Sequence, residues 1–277
     1  MSSCFIRILT PKGLEPVAYT AASLSDAECF EPHNGVYTVT NTFSGGLVLK
    51  FDAHLDRLED SAARAGIPLQ LDRGRLRAAL REMVAASGFG DVRFRITVPA
   101  EQPDHLILTL EPFHPLPQEI YERGVCCITV AGSARHNPTV KASSWLHERQ
   151  QIEAALPKGI FTALLLGENG EILEGTSSNF YAVLDGELRT AGSGVLPGIA
   201  QQIVFAVAEP IIAVKRTPIT VRDLPQSSEA FITSSSRGIV PVIEIDGCPV
   251  GEAVPGSITR ALRAAYLDWV AAHAEPL

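Results

Sequence analysis

Between Glu111 and Gln118 the chain reads Glu-Pro-Phe-His-Pro-Leu-Pro-Gln, three prolines in eight residues. Each proline fixes φ and removes a backbone donor. The run therefore reads as an extended, semi-rigid connector. It divides the chain into a domain over residues 1–112, a linker over 113–119 and a domain over 120–277. With 277 residues, 46% of them hydrophobic and 19% charged, there is enough apolar surface for two modest cores and too much for a disordered chain.

The first part mixes strands and helices. Strands are expected at Phe5 to Leu9, Val36 to Phe43 and Leu47 to Leu49, the last entered through a Gly45-Gly46 turn. Asp52 is expected to cap a helix with the apolar stripe Leu55, Leu58, Ala62 and Ala65, ended by Gly66. Asp72 opens a second helix, with Leu76, Leu80, Met83 and Val84 on one side and Gly88 as its stop. Arg73, Arg75, Arg77 and Arg81 spread around this helix, which predicts a solvated surface. Strict alternation follows: Val92, Phe94, Ile96 and Val98 on one face, Arg93, Arg95 and Thr97 on the other. His105 to Leu110 is its partner strand.

Beyond the linker, short strands are expected at Val125 to Val130, Ala163 to Leu166, Phe180 to Leu184, Phe231 to Thr233 and Val240 to Ile245. Helices are expected over Ser144 to Ala155, Gly198 to Ala208 and Gly256 to His273. This is an α/β chain of the α+β kind, without the regular alternation of a doubly wound sheet. It holds no GxGxxG and no GxxxxGK[ST].

A net charge of −8 excludes a sequence-blind nucleic-acid binder, which needs a basic excess to neutralise phosphates. Five cysteines without a CxxC pair suit a reducing cytoplasm. The N-terminus lacks the pattern of a signal peptide, and no apolar run reaches membrane-span length. No metal site and no membrane partner are expected.

Four features can carry chemistry. Lys141 is the only charge in Asn137-Pro-Thr-Val-Lys-Ala-Ser-Ser-Trp-Leu146. An amine in a partly apolar setting loses affinity for its proton and gains nucleophilicity. Glu174 ends a short strand at a Gly-Thr-Ser-Ser turn. Leu196-Pro-Gly-Ile leads into a helix whose first N–H groups favour anions. Thr233-Ser-Ser-Ser-Arg-Gly-Ile239 places hydroxyls at the end of an apolar strand.

Taken in order, these motifs resemble the class IV aminotransferases, pyridoxal 5'-phosphate enzymes of fold type IV. Gly35-Val-Tyr-Thr-Val39, His54-Leu-Asp-Arg-Leu58, Lys141, Glu174-Gly-Thr-Ser-Ser-Asn179, Leu196-Pro-Gly-Ile199 and Phe231-Ile-Thr-Ser-Ser carry the resemblance, and Ile239-Val-Pro-Val-Ile-Glu-Ile-Asp-Gly247 continues it. It implies a small α/β domain followed by a larger domain with a pseudo-barrel of short strands, in a homodimer acting on amino acids and 2-oxo acids. Lys141 becomes the Schiff-base lysine, Glu174 the partner of the ring nitrogen and Arg57 the phosphate arginine. Leu196, Ile199, Ala200, Ser234 and Ser235 complete the cofactor site. Two positions depart from the family: Ala200 where threonine is frequent, and Leu146 where a tyrosine is frequent near the cofactor.

The substrate is expected to meet Tyr37, Val39 and Asn41, alternate residues of one strand. Tyr-x-Val resembles the D-amino-acid branch more than the branched-chain one. Asn41 replaces a basic residue found in both, so Arg93, Arg95 or Arg135 is expected to take the substrate carboxylate. The Ser-Arg-Gly-Ile ending also resembles aminodeoxychorismate lyases, which eliminate pyruvate with the same cofactor, while branched-chain amino acids or (R)-amines are further transaminase substrates.

Overall fold

The computed structural model describes residues 4–132 and 137–277. These form two compact units: one of residues up to His114 with Val140–Gln150 and His273–Leu277, the other of Pro115–Thr139 and Gln151–Ala272.

In the first unit the chain forms β1 (Phe5–Thr10), β2 (Gly13–Pro16), the short α1 (Leu24–Ala27), β3 (Gly35–Asn41), β4 (Leu47–Leu49), α2 (Phe51–Arg64), α3 (Arg73–Ser87), β5 (Val92–Pro99) and β6 (Leu106–Pro112). Five strands make an antiparallel sheet in the order β2-β1-β6-β5-β3. One face of it packs on the apolar sides of α2 and α3, through Leu55, Leu58, Leu76, Leu80 and Met83 against Val36, Phe94, Ile96 and Leu108.

The predicted cap of α2 is corrected. The helix starts at Phe51, not after Asp52, with Lys50 in a left-handed conformation before it. Phe51 is fully buried and meets Phe94 edge to face, and its N–H donates to Glu275 Oε1 at 3.2 Å. A carboxylate from the far end of the chain thus satisfies a donor that local sequence leaves open.

The arginines of α3 are not simply solvated. Arg73 pairs with Asp56 and Glu59, Arg77 with Asp52 and Glu275, and Arg75 and Arg81 donate to the carbonyls of Thr10 and Leu277.

The polar face of β5 is not a water face either. Arg95 is 1% exposed, and its guanidinium donates to Glu31 Oε1 at 2.6 Å and Glu28 Oε1 at 3.0 Å. Thr97 and Thr109 also donate to Glu31, and Arg149 reaches Glu28 at 3.0 Å. Buried charges persist only when paired and hydrogen-bonded, and these four charges balance.

The second unit holds α4 (Gln118–Arg123), a helix the proline-rich reading does not anticipate, then β7 (Val125–Val130). The chain continues through α5 (Ser144–Ala154), which passes from the first unit to the second at Gln150–Gln151. It goes on through β8 (Ile160–Leu166), β9 (Ile172–Gly175), β10 (Ser178–Leu184), β11 (Glu187–Arg189), α6 (Ile199–Ala208), β12 (Val214–Lys215), β13 (Glu229–Ser234), β14 (Gly238–Ile245), β15 (Cys248–Pro249) and α7 (Ser257–His273). The last strand, β16 (Ala274–Pro276), belongs to the first unit and pairs there with β4.

Strands β10-β13-β14-β7-β8-β9 run in sequence around a sheet, and β9 pairs back onto β10. The ring is closed, which removes its edges. Only the β14–β7 and β7–β8 pairs of this ring are parallel. Val125, Leu164, Phe180, Ile232, Val240 and Val242 fill its apolar core. This is the barrel of short strands that the family resemblance implies.

Replacing Arg95 by leucine takes the guanidinium from Glu31 and leaves Glu28 to Arg149, so it should cost about 3–5 kcal/mol. Replacing the half-exposed Arg93 should cost less than about 1 kcal/mol. Urea denaturation of the two variants measures both; equal small losses would contradict the buried network.

Candidate active site

Strand β3 organises the amine. The chain before α5 lies beside β3, with Tyr37 N–H donating to the Lys141 carbonyl at 3.0 Å and Ser143 N–H donating to the Gly35 carbonyl at 2.9 Å. A bridge between Val36 and Ala142 adds to this pairing. Lys141 N–H donates to Ser61 Oγ of α2 at 3.2 Å. With its backbone held on both sides, Lys141 carries its Nζ over the Tyr37 ring, 4.5 Å from the centroid. An ammonium there is attracted by the negative face of the ring.

Arg57 projects from α2 and its Nη2 donates to Thr38 Oγ1 at 3.5 Å. Thr38 Oγ1 is also 3.0 Å from His54 Nδ1. His54 is fully buried, and burial holds its pKa well below the ordinary histidine range, with Arg57, Lys141 and Lys50 adding to the effect. It is a neutral imidazole among cations.

Of the residues expected to meet substrate, Tyr37 is buried and Val39 half-buried. Asn41 is buried and donates to the Thr42 carbonyl at 3.1 Å. Arg95 is taken up by Glu28 and Glu31. Arg93 pairs with Glu111 at 3.3 Å but keeps 40% of its side chain exposed. Arg135 lies outside the described residues. Leu146, where the family often has tyrosine, is buried at the start of α5.

The second unit builds a separate polar cluster at one end of the barrel. Register places Glu174 opposite Asn179, and Asn179 opposite Thr233, in one row across β9, β10 and β13. Glu174 is 4% exposed. Its Oε2 accepts from the Leu196 N–H at 3.1 Å, while Asn179 Nδ2 donates to the Leu196 carbonyl at 2.9 Å. The two side chains bracket one residue, and Leu196 leads through Pro197 and Gly198 into α6.

No side chain caps that helix start, so the N–H groups of Ile199 and Ala200 belong to the anion-favouring end of a ten-residue helix. A Cβ at Gly198 would overlap Asn179 Oδ1, which ties the glycine of Leu-Pro-Gly-Ile to the asparagine of the Glu174 motif. Ala200 is buried and offers only its backbone.

The hydroxyl turn lies at the same end. Ser234 closes β13 and Ser235 follows it. Arg237 Nε donates to Ser234 Oγ at 2.9 Å and its Nη2 to Ser177 Oγ at 2.9 Å, which joins this turn to the one after Glu174. Thr38, His54, Asn179 and Arg237 stand within the sequence motifs without a role assigned to them, and Ser61 lies outside those motifs. The available signal for His54 and Ser61 is their polarity on the apolar side of α2.

Taken unit by unit, the kinds of group present suit a phosphorylated pyridine aldehyde. The first unit presents an amine on an aromatic face and a guanidinium. The second presents a buried carboxylate for a protonated ring nitrogen, and a helix start with hydroxyls for a phosphate. Among the described residues, no group of three or more His, Cys, Asp or Glu could hold a metal ion, and no helix is long and apolar enough to cross a membrane.

Residues 35–245 match the family model for amino-transferase class IV. The chain is 31% identical over 255 residues to a putative branched-chain-amino-acid aminotransferase of Methanocaldococcus jannaschii, covering 85% of this chain and 86% of that protein. It is 27% identical over 260 residues to the D-alanine aminotransferase of Listeria monocytogenes serotype 4b, covering 85% and 86%. Among solved structures it is similar to a T.th. branched-chain amino acid aminotransferase with pyridoxamine 5'-phosphate, with a TM-score of 0.80 at 21% identity over 96% of this chain and 94% of that one. The Escherichia coli branched-chain enzyme superposes with a TM-score of 0.79 at 22% identity, over 95% and 93%. The motif order, the closed barrel and these likenesses agree: the chain belongs to the class IV aminotransferases, the pyridoxal-phosphate-dependent transferases of fold type IV.

Proposed function

We propose that this aminotransferase moves amino groups between an aliphatic amino acid and a 2-oxo acid, with branched-chain amino acids as the leading donors. The observation that carries this reading is the Lys141 amine over Tyr37, whose neighbour on the same side of β3 is Val39. An aromatic side chain beside the amine, with an aliphatic one two residues along the same strand, favours an apolar substrate side chain by burial. The 31% identity to the branched-chain relative supports the substrate class.

Bound pyridoxal phosphate supplies an aldehyde to take up the amino group and a ring that draws electrons from the substrate Cα. This chain's residues do the rest. Lys141 takes the proton from Cα as a general base and passes it, as a general acid, to the carbon that takes up the amino group; with a 2-oxo acid the transfer runs in reverse. Glu174, kept in place by the Leu196 N–H, holds a proton on the ring nitrogen. Arg57, the Ile199 and Ala200 N–H groups, Ser234 and Ser235 hold the phosphate. Arg93 keeps guanidinium surface for a substrate carboxylate, whereas Arg95 does not. The same reading expects a homodimer, which light scattering measures directly.

A second reading is D-amino-acid transamination. The Tyr37-Thr-Val39 signature and the 27% identity to a D-alanine aminotransferase favour it. A panel of L- and D-valine, isoleucine and alanine with 2-oxoglutarate or pyruvate as acceptor separates the two. L-Valine and L-isoleucine should lead. D-alanine ahead of both would reverse the order of the readings, and pyruvate released without an acceptor would show elimination.

Lys141→Ala should lose every half-reaction, and borohydride reduction followed by peptide mapping should label residue 141 only in the parent. Gly198→Ala forces a Cβ against Asn179; an overlap costing roughly 1–3 kcal/mol should weaken cofactor binding about 5–150-fold, measured by titration of the apoenzyme.

A further inference from the structure

Helix α2 carries His54, Arg57 and Ser61 at successive three- and four-residue steps, beside the otherwise apolar Phe51, Leu55, Leu58 and Ala62. Ser61 receives the Lys141 N–H and Arg57 is the proposed phosphate arginine. His54 has no role in that reading, yet it is 0% exposed. Burying an imidazole costs free energy that an apolar side chain would not incur, so packing alone does not account for it. Its Nε2 meets no hydrogen-bond partner among the described residues. What it contributes to polar structure passes through Nδ1 to Thr38 Oγ1.

The Thr38 hydroxyl is itself fully buried and serves two neighbours. A guanidinium only donates, so Arg57 requires a lone pair of Oγ1. A hydroxyl rotates freely unless a second partner fixes it. The imidazole, 3.0 Å away, is that partner. Its neutrality among Arg57, Lys141 and Lys50 avoids adding a fourth positive charge beside the guanidinium.

We propose that His54 and Thr38 are positioning residues for Arg57: the imidazole fixes the Thr38 hydroxyl, and the hydroxyl orients the guanidinium that receives the cofactor phosphate. This rests on the phosphate role of Arg57 proposed above. It assigns to the histidine of His54-Leu-Asp-Arg-Leu58 a function exerted on the arginine three residues later, through a side chain of a neighbouring strand.

The test compares two ligands that differ only in the phosphate. Full-length apoenzyme is titrated with pyridoxal phosphate and with pyridoxal, following absorbance and tryptophan fluorescence. Thr38→Val removes the hydroxyl at constant volume and should weaken pyridoxal phosphate about 3–10-fold while leaving pyridoxal unchanged. Thr38→Ser should restore parental affinity. His54→Leu should reproduce the valine variant, and His54→Asn, with a polar atom near the Nδ1 position, should retain most of the affinity.

Arg57→Gln should produce a larger phosphate-selective loss, and adding Thr38→Val to it should weaken binding no further. If Thr38→Val weakens both ligands equally, or neither, the positioning role is overturned. If Arg57→Gln does not discriminate between the ligands, the phosphate role of Arg57 falls, and this inference with it. Should His54→Leu fail to fold, the Thr38 pair decides alone.

Discussion

The pairing of β9 with β10 is the contact on which the second unit's chemistry depends. Four residues long, β9 closes the barrel, and the same residues carry Glu174. A carboxylate on an open sheet edge would be hydrated and free to reorient. On a closed seam its backbone is held by Leu165 on one side and Asn179 on the other. The side chain then keeps one direction, and Leu196 is held by one hydrogen bond to Glu174 and one from Asn179. Barrel closure, carboxylate placement and the entry angle of α6 are one construction.

The first unit solves a different problem. At Lys141 it is the backbone that is held from both sides. Tyr37 N–H and Ser61 Oγ fix the peptide groups on either side of the Lys141 Cα, and the side chain reaches over the aromatic face of Tyr37. Restraint of the main chain at this position fixes where the side chain starts from, which is the geometric condition for any reaction at its amine.

The motifs were legible because each is local. Glu174-Gly-Thr-Ser-Ser-Asn179 is a strand, a turn and a strand. Leu196-Pro-Gly-Ile is a turn and a helix start. Short-range geometry determines what such segments do, so residue order alone points to them. Helices α5, α6 and α7 and most strands fall where periodicity places them within one to three residues. The start of α2 was not legible, because Glu275, more than two hundred positions away, receives the Phe51 N–H. The brace from Asn179 to Gly198 is of the same kind: each residue stands in a quoted motif, but their contact spans the barrel and α6.

Charge on a strand is the least legible feature, and β5 shows why. Alternation assigns Arg93 and Arg95 to one face, and to that extent they are equivalent. Their chemistry depends on partners that no local pattern announces. Glu28 and Glu31 come from the segment after α1, and they take Arg95 with four donor contacts. Releasing that guanidinium to a substrate would leave the buried Glu31 without its cation and Glu28 to Arg149, at a cost of several kcal/mol. A substrate carboxylate gains at most about 3 kcal/mol from a charged hydrogen bond. The exchange is unfavourable, so Arg95 belongs to the scaffold. Arg93, two residues away in a partly exposed ion pair with Glu111, carries no such penalty.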